Sequence, residues 1–390
     1  MKVLLIKLAE PVGKNMKATY MPPIGLWSIR DALQWWGHEV DVLDLHLDNG
    51  AFSGYKYKEP PDLIGISAQF STQHRFYENM ARWCRAMWPE ARIVAGGFHA
   101  AAVPTPYGVD EVCRGAGETF FDPSGVPSLR PTAEDMGPYW EKSAPHDLRS
   151  ITPRWMPVET SRGCGRDCEF CGVPRFWGKW KGCGVDVDHL AGQGIQELFI
   201  EDDNFAWNPH RATQMLDRFN WYNMVYSFPN GIEIKKALPL LESMKGCWRM
   251  SLPFETGSEY TAKLMRLGSK WMPHEEAVEA VKQVNGYGIE SCGFFIIGYP
   301  GETTDDIKRT LDYANSLPLH DRHIYVATPY PGTRLYRLCR EKGYLKYDGA
   351  ELCDHLQYTE GMIDTPEWSG EEVVEIRNAD REAAIARRKG

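Results

Sequence analysis

The pattern of apolar and polar positions divides the chain into two stretches of alternating strand and helix. In the first, short apolar runs at Val3–Leu8, Val40–Leu43, Leu63–Ser67, Ile93–Ala95 and Asp110–Cys113 read as strands. Ile24–Trp36 and Phe76–Met87 carry helical periodicity between them. Pro22-Pro23 stand at the mouth of the first helix, where proline is tolerated, and Gly37 ends it. This alternation predicts a parallel, doubly wound α/β sheet over residues 1–121. Ligands of such sheets sit beyond the carboxyl ends of the strands. The loops that matter are therefore Ala9–Tyr20, Ala68–Gln73, Gly96–Pro104 and Arg114–Glu118.

Residues 122–153 are rich in Pro, Ser, Asp and Gly and read as a linker. From 154 to 345 the alternation resumes. Strands are predicted at Trp155–Glu159, Glu197–Glu201, Met224–Phe228, Trp248–Phe254, Glu290–Ile297 and His323–Ala327, with helices such as Arg211–Asn220 and Glu275–Tyr287 between them. Six β/α units follow one another here, and in such units chemistry collects at the carboxyl ends of the strands. Residues 346–390 form a small helical tail. Its helix Glu371–Arg388 is charged, with Val374, Ile376 and Ile385 on the apolar side.

Composition narrows the class. Hydrophobic content of 43% and charged content of 25% are ordinary for a globular chain of 390 residues. The net charge of −9 argues against a broad nucleic-acid-binding face. No apolar run approaches the roughly 20 residues of a membrane helix. Met1–Lys7 is too short and too soon interrupted an apolar start for a signal peptide and reads better as a first buried strand. Ten cysteines in a chain this long are not a disulfide framework. Seven are scattered, at 84, 113, 183, 247, 292, 339 and 353. Of these, Cys183, set between two glycines, is the one to watch.

The other three sit in one stretch, Ser161-Arg162-Gly163-Cys164-Gly165-Arg166-Asp167-Cys168-Glu169-Phe170-Cys171. Cysteine thiolates are soft ligands that hold iron–sulfur clusters. A [4Fe-4S] cluster usually takes four of them, so three leave one iron open. An open iron can chelate the amino and carboxylate groups of S-adenosylmethionine (SAM). An electron from the cluster then splits the sulfonium and releases a 5′-deoxyadenosyl radical. Structural zinc wants a closed set of four ligands, and no nearby Cys or His pair completes one. Cys164, Cys168 and Cys171 are thus the expected metal ligands. Such a cluster is oxygen-sensitive, which makes a reducing, cytoplasmic setting the expectation.

The Cys-x3-Cys-x2-Cys spacing, with Phe170 before the last cysteine, resembles the signature of the radical SAM superfamily. Four earlier stretches look like the cobalamin-binding, Rossmann-like domain that precedes the barrel in one large class of that superfamily. They are Pro22-Pro23-Ile24-Gly25-Leu26, Ile64-Gly65-Ile66-Ser67, Gly96-Gly97-Phe98-His99 and Arg114-Gly115-x-Gly117-Glu118. The resemblance implies cobalamin as a cofactor, contacted by Gly96, Gly97, Gly115 and Glu118, with His99 at its rim. Asp44-Leu45-His46-Leu47-Asp48-Asn49-Gly50 nearly matches the Asp-x-His-x-x-Gly loop of other B12 proteins. Its glycine is one residue late and it follows the second strand, so His46 reads as an ordinary loop histidine.

The six β/α units of residues 154–345 resemble the partial, TIM-like (β/α)6 barrel of that superfamily, and the resemblance implies SAM contacts at successive strand ends. Phe170 belongs to the cluster loop. Asp203, rather than Asp202, meets the amino group; Asn230 follows the third strand. Glu255 and Ser258, in a variant of Glu-Ser-Gly-Ser, meet ribose or carboxylate. Ile296 and Gly298 meet adenine. Tyr330, in Thr328-Pro329-Tyr330-Pro331-Gly332-Thr333, touches substrate or cofactor, and with Glu255 is the expected catalytic pair. The implied activity is a cobalamin-dependent methyl transfer to an unactivated carbon, or a phosphinate, of a small-molecule or peptide substrate. An external electron donor of flavodoxin or ferredoxin type is implied; nucleic acid is not expected as a partner. The alternative is a radical SAM cyclase, rearrangement or oxidation enzyme without methyl transfer, with or without cobalamin. A methylthiotransferase acting on transfer RNA would need a second cysteine trio in the N-terminal domain, where only Cys84 and Cys113 lie.

Overall fold

The computed structural model describes residues 1–9, 21–47, 59–121, 130–142 and 151–389. Most of the predicted loop Ala9–Tyr20, the end of the rejected histidine motif (48–50), and residues 122–129 and 143–150 of the predicted linker lie outside the described residues.

The N-terminal strands are β1 (Lys2–Lys7), β2 (Glu39–Asp44), β3 (Leu63–Ser67), β4 (Arg92–Gly96) and β5 (Glu111–Val112). They form a parallel sheet in the order β2-β1-β3-β4-β5. The apolar runs are continuous because both faces are covered. Leu4 and Ile6 pack with Ile64, Ile66, Ile93 and Tyr77 on one face. Val3 and Leu5 pack with Leu26, Leu33, Val40 and Val94 on the other. The strand order reverses between β1 and β3, the point where doubly wound sheets bind their ligands.

Gln73 stitches the two loops at this switch point together. Its Nε2 donates to the Leu8 and Ala9 carbonyls at 3.1 and 3.2 Å. Its Oε1 accepts from the Gln69 and Phe70 amides at 3.1 Å each. Gly97, at φ +99°, lies so close to Ala68 that a Cβ would meet its carbonyl oxygen at 2.5 Å. Only glycine fits such an approach.

The remaining strands are β6 (Trp155–Val158), β7 (Ser161–Arg162), β8 (Lys181–Gly182), β9 (Glu197–Ile200), β10 (Val225–Phe228), β11 (Cys247–Glu255), β12 (Glu290–Ile297) and β13 (Asp321–Val326). The antiparallel pair β7–β8 is too short to leave a periodicity in the sequence. The others form a sheet in the order β13-β12-β11-β10-β9-β6, with parallel ladders β6–β9, β10–β11, β11–β12 and β12–β13.

Within the predicted linker, Ala133–Lys142 is a helix despite Pro138. Burial of Met136 and Tyr139 outweighs the proline. Tyr139 donates to Asp44 at 2.7 Å, and Asp135 pairs with Arg30 at 2.6 Å. In the tail, the helix Gly370–Lys389 buries Val373, while Ile385 is exposed. Asp380 pairs with Arg322 at 2.8 Å, and the Arg377 Nε donates to the Ile324 carbonyl at 2.7 Å. No described helix is long and apolar enough to cross a membrane.

The chain divides into two compact units. One comprises Met1–Arg162, Lys181–Glu201 and Trp221–Val225; the other comprises Gly163–Trp180, Asp202–Asn220 and Tyr226–Gly390.

Candidate functional site

The second unit holds a cavity of about 560 Å³. Its lining gathers residues far apart in sequence: Cys164, Cys168, Phe170 and Cys171; Asp203 and Asn204; Asn230; Glu255; Ile296; and Tyr330. These follow, or end, β6, β9, β10, β11, β12 and β13 in turn, the edge where a β/α barrel keeps its chemistry.

The cysteine loop is held from several sides. Asp203 accepts from the Gly163 amide at 2.7 Å. Gly165 is required by packing, since a Cβ there would fall 1.7 Å from the Trp207 ring. The same ring carries Lys236 at 4.3 Å and Arg166 at 5.8 Å from its centroid. Asp167 pairs with Arg334 at 2.7 Å, and Glu169 meets Arg266 and Arg334 at 3.3 Å each. All three cysteines are free thiols. Burial pushes the Cys171 thiol up to about 12 and raises Cys168 as well. Such thiols ionise against a cationic partner, as metal binding provides. Two cations already stand on the same lining: Arg166, chelated by Glu233, and Lys270. The Asn204 amide donates to the Cys164 sulfur at 3.5 Å and to Glu233 at 3.4 Å. This donor set fits a three-cysteine iron–sulfur cluster.

Glu255 ends β11 with φ +69°, a left-handed backbone that a non-glycine residue adopts at a cost of about 1 kcal/mol or more. Its carboxylate meets Lys270 at 2.6 Å, and the two side chains are only 8% and 13% exposed. Burial alone would lower the Lys270 pKa; Glu255 and the neighbouring thiols raise it above the ordinary lysine value. The fourth-strand motif thus presents a neutralised pair rather than a lone acid.

Two residues expected to contact SAM have other neighbours in the structure. Ser258 caps the helix Glu259–Leu264, donating to Asp306 at 2.9 Å while accepting from the Thr261 amide. Gly298 lies under Val373, which a Cβ would meet at 2.8 Å. Neither is on the cavity lining. Asp202 is buried off the lining, whereas Asp203 is on it.

The turn after β12 is shaped by Glu302, which accepts from the Tyr299 amide at 2.7 Å. Burial raises Glu302 to about 7, from an ordinary value of 4.5. The folded chain therefore holds this proton more tightly than the unfolded one. The resulting stabilisation is complete below the unfolded value and is lost as pH rises through about 7. Stability in urea should fall by on the order of 2–3 kcal/mol between pH 5 and pH 8 from this group alone. Glu302→Gln should flatten that part of the profile; a variant with the wild-type slope contradicts the assignment.

The first unit keeps its own expected residues together in part. His99 is buried, with Nε2 2.9 Å from His74 Nδ1 and Nδ1 3.2 Å from Ser71 Oγ. Burial, with His74 close by, lowers its pKa to about 4, so it is neutral at physiological pH. Glu118 is also buried and pairs with Arg162 at 2.8 Å; it accepts a hydrogen bond from Ser28 as well. Both side chains are engaged by protein. Gly96 ends β4, and Gly115, like Gly97, has a positive φ of +104°. Cys183 follows β8, its amide bonded to the Thr160 carbonyl at 2.8 Å, and is not on the cavity lining.

Arg166, Asn204, Glu233, Lys270 and Tyr358 also line the cavity. Arg166 and Asn204 adjoin motif residues already singled out, so their proximity was a usable signal. Lys270 and Tyr358 sit outside any motif.

Two family models match the chain in order: the B12 binding domain over residues 17–122 and the Radical SAM superfamily over residues 211–314. The chain is 24% identical to cytidylyl-2-hydroxyethylphosphonate methyltransferase from Streptomyces wedmorensis, over 96% of this chain and 88% of the relative. It is 26% identical to an uncharacterized methyltransferase, PH0819, from Pyrococcus horikoshii, over 86% and 82%. Among solved structures, the radical SAM methyltransferase TsrM from Kitasatospora setae, with cobalamin and a [4Fe-4S] cluster bound, superposes with a TM-score of 0.68 at 16% identity. That match covers 87% of this chain and 78% of TsrM.

Proposed function

We propose that this chain, a radical SAM enzyme with an N-terminal B12-binding domain, transfers a methyl group to an unactivated carbon of a small-molecule or peptide substrate. The supporting observation is the convergence of Cys164, Cys168, Cys171, Asp203, Asn230, Glu255, Ile296 and Tyr330 on one cavity. The cofactors that go with the two domains are SAM, a [4Fe-4S] cluster and cobalamin. When bound, the cluster supplies the electron for radical formation from SAM and the corrinoid supplies a methyl carrier.

The chain's own residues position and insulate. The three cysteines hold the cluster, and Asn204 fixes the orientation of Cys164. Asp203 accepts a charge-assisted hydrogen bond from the SAM amino group. Lys270 and Glu255 together present a charge-balanced surface to the zwitterionic methionyl portion. Phe170 and Ile296 give the adenine apolar walls. In the first unit, Gln73 ties Leu8 and Ala9, just after β1, to the loop after β3, and Gly97 brings the loop after β4 against Ala68; these strand ends would hold the corrinoid. A small external protein of flavodoxin or ferredoxin type delivers the electron. The methyltransferase names of the two relatives favour methyl transfer over the other radical chemistries.

Anaerobic purification with iron and cobalt counts, followed by turnover with SAM and a reductant, tests this reading. With substrate present, S-adenosylhomocysteine and 5′-deoxyadenosine should both accumulate alongside a methylated product. Accumulation of 5′-deoxyadenosine with product but without S-adenosylhomocysteine would assign a cyclase, rearrangement or oxidation enzyme instead.

A further inference from the structure

We infer that four aromatic side chains on the cavity lining, Phe294, Tyr325, Tyr330 and Tyr358, form a recognition wall for a planar aromatic or heteroaromatic ring carried by the substrate. The inference rests on the proposed function for the identity of the cavity and adds the chemical class of what enters it.

The wall is continuous. Phe294 and Ile296 alternate along β12, and Tyr325 of β13 is the register partner of Ile296. Two-residue alternation turns Phe294 and Ile296 to the same side of the sheet, and both line the cavity. Ring centroids run 5.6 Å from Phe294 to Tyr325, 5.0 Å from Tyr325 to Tyr358 and 5.8 Å from Tyr358 to Tyr330. Interplanar angles of 71° and 67° make the outer two pairs edge-to-face, and the central pair is tilted at 52°, so the wall presents both faces and edges. An incoming ring finds a face to stack on and an edge to meet its own face.

Tyr358 comes from the tail, well beyond the last barrel strand. Its carbonyl accepts from the Val326 amide at 2.8 Å, which ties the tail segment to the end of β13. The residue remains 52% exposed. A tyrosine anchored through its backbone and half exposed is available to a ligand at little reorganisation cost.

Charge separates this class from its rivals. The lining cations Arg166 and Lys270 are engaged by Glu233 and Glu255. A phosphonate or phosphate entering the cavity would have to compete with a buried carboxylate for either one. Asp203, the other charged group on the lining, accepts from the Gly163 amide and is the group assigned to the SAM amino group, so it is not left for the substrate. Nothing in this charge pattern favours an anionic or a cationic ligand, and the four rings supply the recognition that remains.

The test uses anaerobically reconstituted full-length holoenzyme with saturating SAM, so that the nucleoside site is filled. Ligand-observed saturation-transfer NMR then compares three probes: indole, cyclohexanol and methylphosphonate. Indole should bind, and Tyr358→Leu should weaken it by roughly tenfold, the effect expected of one lost stacking partner. Tyr358→Phe should retain indole binding. Equal binding of indole and cyclohexanol, binding of methylphosphonate in place of indole, or indifference of indole to Tyr358→Leu would each overturn the inference. Because Tyr358 is half-exposed, its substitution leaves the core intact; Tyr330→Leu, on a more buried ring, is the confirming second variant. Formation of 5′-deoxyadenosine by the wild-type enzyme without any probe tests the parent reading separately.

Discussion

Replacing Cys168 with alanine should yield a chain that no longer retains iron and no longer cleaves SAM. A cluster with three protein ligands has no spare thiolate to lose, and Asn204, Arg166 and Lys270 around it offer hydrogen-bond donors, not ligands. Iron should fall from about four per chain toward background, and 5′-deoxyadenosine should fall to the level seen without enzyme. Cys183→Ala is the matched control. It removes a thiol close by in sequence but off the cavity lining, and should leave iron content unchanged. Circular dichroism should show Cys168→Ala still folded, since Asp203, Arg266 and Arg334 hold the loop by contacts independent of the sulfur. Retention of iron together with SAM cleavage in Cys168→Ala would refute the assignment of the trio.

The frame of the molecule was legible because parallel strands buried on both faces leave apolar runs that cannot be mistaken for surface. Leu63–Ser67 and Glu290–Ile297 are strands with the predicted bounds. Elements that depend on distant packing were not legible. The helix Ala133–Lys142 contains Gly137-Pro138, which locally argues for a turn; its stability comes from Tyr139 reaching Asp44 and Asp135 reaching Arg30. At the site, motif residues were visible because their chemistry is local: three cysteines in one loop, an acid after a strand. Ser258 shows the limit of that reasoning. A serine in a family-like motif gives no sign of whether its hydroxyl faces ligand or caps a helix, and here Asp306, 48 residues on, takes it. Lys270 shows the converse. Its role depends on lying opposite Glu255, a pairing set by the fold and not by spacing.

That pairing predicts the second large effect. Lys270→Met should destabilise the chain by about 3–5 kcal/mol, the usual consequence of stranding one member of a buried ion pair. The side chains are 13% and 8% exposed, so water cannot take over the role of the ammonium. Glu255 would then be buried without its partner, and its left-handed backbone would lose the side-chain contact made there. Urea denaturation of the anaerobic protein measures the loss. Adding Glu255→Gln to Lys270→Met should restore most of the stability, because two neutral side chains of similar length remove the stranded charge. SAM cleavage should not recover with it. If the pair only held the fold, stability and cleavage would return together in the double variant. If it also shapes the surface that meets SAM, cleavage stays low while the midpoint returns toward wild type. A Lys270→Met variant within about 1 kcal/mol of wild type would show that the pair is solvated in solution and would remove the argument for either role.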